Sequence, residues 1–126
     1  MHAYLSQSAL SVSEWDRQEL LDRVDGDQAF LCELLVMFRT DGPQSLKGAE
    51  ECLQKSDLLG VSRAAHTIKG MLRNLAMHHA GELADALEKS SGESDIANSE
   101  KNLTELKAAV EKILPAIESH LAGVHA

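Results

Sequence analysis

The chain has 126 residues, with 20 acidic and 12 basic side chains and a formal net charge of −8. That length accommodates one domain with a proper core but not two, and the charge argues against a surface that neutralises nucleic-acid phosphates or sits on an anionic membrane. Four aromatic residues (Tyr4, Trp15, Phe30 and Phe38) are too few for a base-stacking platform, while long stretches rich in Ala, Leu, Glu and Lys favour helix.

Residues 1–12 read as a loose N-terminal arm, and residues 13–122 as the domain. Ser13 is expected to cap a first helix, with Asp16 three residues on and an apolar stripe of Leu20, Leu21 and Val24 that ends at Asp25-Gly26. Asp27 opens a second helix with the stripe Phe30, Leu31, Leu34, Leu35 and Phe38. At Asp41-Gly42-Pro43 two readings stand: Gly42 ends the helix and Pro43 starts the next, or one bent helix runs on through Leu46, Ala49 and Leu53 to Lys55. Ser56-Asp57 starts a segment running to about Ala76. His78-His79 then falls near a turn, followed by a short helix to Lys89. Residues 90–99 (SSGESDIANS) are predicted as a loop, and a last helix from about Glu100 to Leu121 is expected to kink or part near Pro115. These amphipathic segments imply an all-α fold: an antiparallel four-helix bundle with an additional N-terminal helix.

The longest purely apolar run, Leu34 to Phe38, is far short of the roughly 20 residues that span a bilayer. The first dozen residues lack the basic start and apolar stretch of a signal peptide. Cys32 and Cys52 lack CxxC spacing and fall in helical patterns, so reduced cysteines in a cytoplasmic protein are expected. Cys52 and Met37 read as packing, and Trp15 as the residue that packs the first helix onto the bundle. His2, His120 and His125 suggest no function.

The segment 57–77 carries the chemistry. On a helical wheel at about 100° per residue, Val61, Ala64, Ala65, Ile68, Met71, Leu72 and Leu75 fall opposite His66. Within about 60° of His66 lie Ser62, Arg63, Lys69, Gly70 and Arg73, with Leu59 and Met77 at the two ends. The histidine therefore projects from the polar face. No Asp or Glu occurs from Val61 to Ala80, so the local sequence predicts a positive patch around one imidazole. An exposed neutral imidazole is a competent nucleophile, and nearby cations favour an anion bound to it. Gly70 costs about 1 kcal/mol in a helix interior relative to Ala, a cost that close approach of another surface would offset.

Ala65-His66-Thr67-Ile68-Lys69-Gly70, followed by Asn74-Leu75-Ala76, Leu83 and Leu87, closely resembles the histidine-containing phosphotransfer (HPt) family, and the resemblance covers nearly the whole chain. The "LLxRVxGD" opening from Leu20 to Asp27, the Leu/Phe-rich second helix and the Lys55-Ser56-Asp57 junction come in the family's order. The resemblance implies a monomeric phosphorelay carrier in which His66 takes a phosphoryl group from the aspartyl phosphate of a response-regulator receiver domain and passes it to another receiver. By position, Lys69 would hold phosphoryl oxygens and Gly70 would leave room for the partner. Leu59, Ser62, Arg63, Arg73, Asn74 and Met77 would face it. Met71 and Arg73 depart from the small residues usual at their positions, which bears on partner choice. No cofactor of the chain's own is implied, since the metal ion would belong to the receiver. A hybrid sensor histidine kinase is the other implied partner. No nucleotide-cradling glycine motif is present, so the reading is a carrier rather than a kinase.

Three rival readings stand beside this one. The dimerisation domain of a sensor kinase usually has an acid directly after its histidine, where this chain has Thr67. A di-iron bundle needs Glu-x-x-His pairs, and no acid stands three residues before His66, His78, His79, His120 or His125. His78 and His79 read as exposed turn residues. A plain helical interaction module is the third.

Overall fold

A computed structural model describes residues 10–125, with side chains described through Gly123. Residues 1–9, including His2 and Tyr4, and the side chain of His125 lie outside the described residues. Among the described residues there are five helices and no strand: α1 (Arg17–Arg23), α2 (Gln28–Gln54), α3 (Leu58–Asn74), α4 (His78–Gly92) and α5 (Ile96–His125). Helices α2 to α5 close a four-membered ring, each packed on two neighbours, and α1 rests against α2. Phe38, Leu35, Ile68, Leu72, Leu87, Leu106 and Ile117 are among the side chains filling the shared core.

One turn design repeats at each of the four helix-to-helix junctions. Asp25, Ser56, Ala76 and Ser94 all adopt positive φ, between 54° and 60°. Around each, the next N–H reaches back to a carbonyl of the last helical turn, as in Asp57 N–H to Cys52 O at 2.8 Å, Met77 N–H to Leu72 O at 2.9 Å and Asp95 N–H to Ser90 O at 2.9 Å. The chain then re-enters helix at once. Asp27, Asp57 and Asp95 each accept a backbone N–H three residues on (Phe30, Gly60 and Asn98), which caps α2, α3 and α5.

Several sequence expectations are corrected. The cap of α1 is Asp16, which accepts the Glu19 N–H at 3.0 Å, rather than Ser13. Ser13 lies in the preceding turn, where its carbonyl accepts the His79 N–H. Of the expected N-terminal arm, Leu10 packs on the core and Ser11 bonds Glu14, while Val12 is 69% exposed. Trp15 does pack as expected and is 2% exposed.

At Asp41-Gly42-Pro43 the chain is one continuous helix. Gly42 serves packing rather than termination, because a Cβ there would lie 2.7 Å from Cζ of the buried Phe38 ring. Phe30 and Met37 lie outside the core, 46% and 59% exposed.

Residues 90–99 are not a loop, since α4 continues to Gly92, Glu93-Ser94-Asp95 makes the turn, and α5 begins at Ile96. Three of the four serines that suggested a loop, Ser90, Ser91 and Ser99, are buried. Ser90 and Ser91 donate to the Leu87 carbonyl, and Ser90 Oγ meets Ser99 Oγ at 3.0 Å, so their hydroxyls are satisfied within the α4–α5 interface. Pro115 does not part α5, which runs unbroken to His125.

Candidate functional site

Helix α3 is ordered by its own amphipathicity. Val61, Ala65, Ile68 and Leu72 are completely buried, and the opposite face is left to solvent. His66 stands on that face with 70% of its side chain exposed. Arg63, Gly70, Arg73 and Asn74 are exposed beside it, Ser62 is half-buried, and Leu59 is an exposed apolar residue at 62%. A Cβ built on Gly70 meets nothing within 4 Å, so no packing inside the chain demands a glycine there. Met77, expected on this face, is fully buried. The helix ends at Asn74, and the positive φ of Ala76 swings the following residue into the core.

The predicted positive patch is not what the fold builds. Helix α4 packs antiparallel to α3 and brings one carboxylate to the histidine and a second to Lys69. His66 Nδ1 lies 3.0 Å from Glu88 Oε2, and Lys69 Nζ lies 2.6 Å from Glu88 Oε1 and 3.3 Å from Asp85 Oδ1. Asp85 in turn holds Lys89 at 3.0 Å through its other oxygen. His66, Glu88, Lys69, Asp85 and Lys89 thus form a chain of alternating acidic and basic groups across two helices.

The electrostatics follow from these contacts. Lys69, the nearest cation, holds the Glu88 carboxyl below its ordinary value, with the His66 bond adding to the effect. Lys89 and then Lys69 lower that of Asp85. Lys69 is raised, chiefly by Glu88. An ionised Glu88 can only accept hydrogen bonds, so the Nδ1 it faces must carry the proton. In the neutral ring, Nε2 then has the free lone pair. The arrangement offers one exposed nitrogen nucleophile, a fixed tautomer and a lysine close by.

Glu88 and Asp85 were missed by sequence reading, which looked for acids only along α3. The signal was available in the register of the hairpin: His66 and Glu88, separated by 22 residues, and Lys69 and Asp85, separated by 16, are both centred on Met77 in the α3–α4 turn.

Among the described residues, Asp16, Glu19 and His78 place three potential metal ligands within 4.8 Å of one another. Their charges already have structural uses, since Asp16 caps α1 and Glu19 pairs with Arg23. His78 is half-buried with Nε2 2.9 Å from Glu19 Oε1, not an exposed turn residue, and it starts α4 at the end remote from Glu88. Arg23 also donates to the Arg73 and Asn74 carbonyls, which ties α1 to the C-terminus of α3. His120 is likewise structural, packed edge-on against Trp15 with ring centroids 5.8 Å apart.

Residues 33–116, two-thirds of the chain, match the family model described as "Hpt domain". No curated protein and no solved structure matches the chain.

Proposed function

The chain belongs to the Hpt domain family, whose members carry phosphoryl groups on histidine in two-component phosphorelays and are carriers rather than kinases, and from that premise we propose that His66 is its phospho-accepting residue. The observation that carries the proposal is the coupling of an exposed imidazole to Glu88 through Nδ1. In this reading Nε2 attacks the phosphorus of a receiver's aspartyl phosphate. The N–P bond forms as the acyl P–O bond breaks, and the aspartate carboxylate leaves with the bonding pair. The proton stays on Nδ1, and the positive charge that develops on the ring is opposed by Glu88 at 3.0 Å. That same charge makes the imidazole a good leaving group for transfer to a second receiver.

Lys69 supports phosphoryl oxygens as charge moves during in-line transfer, and the metal ion that phosphoryl transfer uses is supplied by the receiver. Gly70, with open space where a Cβ would be, admits the receiver's loops. Leu59, Arg63, Arg73 and Asn74 form the exposed surroundings that the receiver meets, with Ser62 partly available and Met77 excluded by burial. The domain proper is residues 13–122, acting as a monomer in the cytoplasm, with receiver domains, free or within a hybrid sensor histidine kinase, as partners. No described helix is long and apolar enough to cross a membrane.

Reconstitution tests the proposal. Two receiver domains that do not exchange phosphoryl groups directly should do so when substoichiometric wild-type chain is added, and should not with His66→Gln. Exchange supported equally by His66→Gln would place the acceptor elsewhere. No exchange with wild type would remove the carrier role.

A further inference from the structure

The ion-pair chain between α3 and α4 does more than fix a tautomer. Lys69 is held on both sides by carboxylates, and only 17% of its side chain is exposed. We propose that Asp85 is a positioning residue that restrains Lys69, so that the phosphoryl group is passed on to a receiver more readily than it is kept on His66. The inference rests on the carrier reading above and adds to it a residue and a direction of flow.

An ammonium has three donors. Here Glu88 and Asp85 engage Lys69 at 2.6 and 3.3 Å, so a phosphoryl group on His66 must compete with two fixed carboxylates for it. The phosphoryl group on Nε2 also sits across the ring from the ionised Glu88, which holds Nδ1. Glu88 cannot be released from this arrangement without losing the ring's orientation, because it binds both His66 and Lys69. Among the described residues, the ion-pair partners of Asp85 are the two lysines, Lys69 and Lys89, and not His66. Its effect on the histidine therefore runs through Lys69 alone. Lys89, 73% exposed, draws on the same Asp85 carboxylate from the other side and weakens its hold on Lys69. The phosphohistidine is less well neutralised than a free lysine would make it, which favours transfer onward.

The effect is readable as an equilibrium. A receiver domain is loaded with acetyl phosphate, freed of the small phosphodonor and mixed with the chain. The ratio of phosphohistidine to aspartyl phosphate is then measured at equilibrium. Asp85→Asn, close in size and uncharged, should raise that ratio about two- to fivefold, the scale of a partly exposed ion pair. Lys89→Ala, which leaves Asp85 to Lys69, should lower it. In a Lys69→Ala background, Asp85→Asn should have no effect, because a residue acting through Lys69 has nothing left to act on. An unchanged or lowered ratio in Asp85→Asn overturns the proposal, as does an Asp85→Asn effect that persists without Lys69. If Asp85→Asn fails to fold, Lys89→Ala decides alone, and a ratio that does not fall counts against the restraint. Wild type that accepts no phosphoryl group refutes the carrier reading itself, a result distinct from any of these.

Discussion

Gly70→Ala should produce a protein that is more stable and a poorer phosphoryl carrier. Glycine inside a helix costs about 0.8–1.0 kcal/mol relative to alanine, and internal packing is the usual reason to retain one. Gly42 has such a reason, with the Phe38 ring where its Cβ would be; Gly70 has none within 4 Å. With no clash to subtract, the substitution should gain nearly the full propensity difference, about 1 kcal/mol, or about 4 °C in Tm for a domain of this size. Gly48 in α2 is a matched control, also with nothing within 4 Å of a Cβ, so Gly48→Ala should gain a similar amount. The two then diverge in function. A methyl group on the exposed face one turn from His66 should slow transfer from a phosphorylated receiver about three- to tenfold, and Gly70→Leu about a hundredfold, by displacing the partner on the order of 1 Å. Gly48→Ala should transfer at the wild-type rate. Urea denaturation and rapid-quench transfer kinetics on the three variants give both readouts. Wild-type transfer in Gly70→Leu would refute the reasoning, as would a destabilised Gly70→Ala.

Gly42→Ala should lose stability, by about 1 kcal/mol, because overpacking against the buried Phe38 ring outweighs the helix-propensity gain; chemical denaturation beside Gly48→Ala checks the opposite signs. Ser94→Gly should stabilise by about 0.5 kcal/mol, since Ser94 is exposed with φ 60° and glycine adopts that conformation without a Cβ penalty, and a thermal melt reads it. Stability should also fall with acidification in two stages. Burial, reinforced by Arg17, lowers the pKa of His120 below 6.5, so below that pH the unfolded chain binds a proton that the folded chain resists, and stability declines from there towards the folded value. Glu14, bonded chiefly to Lys112, is lowered from 4.5 to about 2, so its contribution is present above pH 4.5 and lost as the pH falls from there through its folded value. Urea midpoints across pH 8 to 3 should show the first stage shrinking in His120→Gln and the second in Glu14→Gln; wild-type profiles in both variants would contradict these assignments.

The face of α3 was legible because a single helix obeys one period: burial of Val61, Ala65, Ile68 and Leu72 leaves His66 outside whatever the rest of the chain does. Glu88 was not, because its contact with His66 exists only once α3 and α4 are paired in register, and that register is set by the turn at Leu75-Ala76-Met77. The turns were partly readable. Lys55-Ser56-Asp57 was recognised as a junction, yet Glu93-Ser94-Asp95, which makes the same turn with the same capping aspartate, was absorbed into a supposed loop. Composition misled there, since Ser90, Ser91 and Ser99 count as polar in sequence but satisfy their hydroxyls inside the bundle. At Pro43 the sequence left a break and a continuous helix both open, and at Pro115 it favoured a kink or a break; packing along the bundle carries both helices through positions where local propensity alone would break them.

The central claim is that one exposed imidazole carries the phosphoryl group, and intact mass measures it most directly. Wild-type chain and His66→Gln are each incubated with receiver domains shown to be phosphorylated, then analysed before and after brief acid treatment. The account predicts a single acid-labile phosphoryl adduct on wild type and none on His66→Gln, with both proteins equally helical. An adduct that survives acid, or one that persists in His66→Gln, would contradict it.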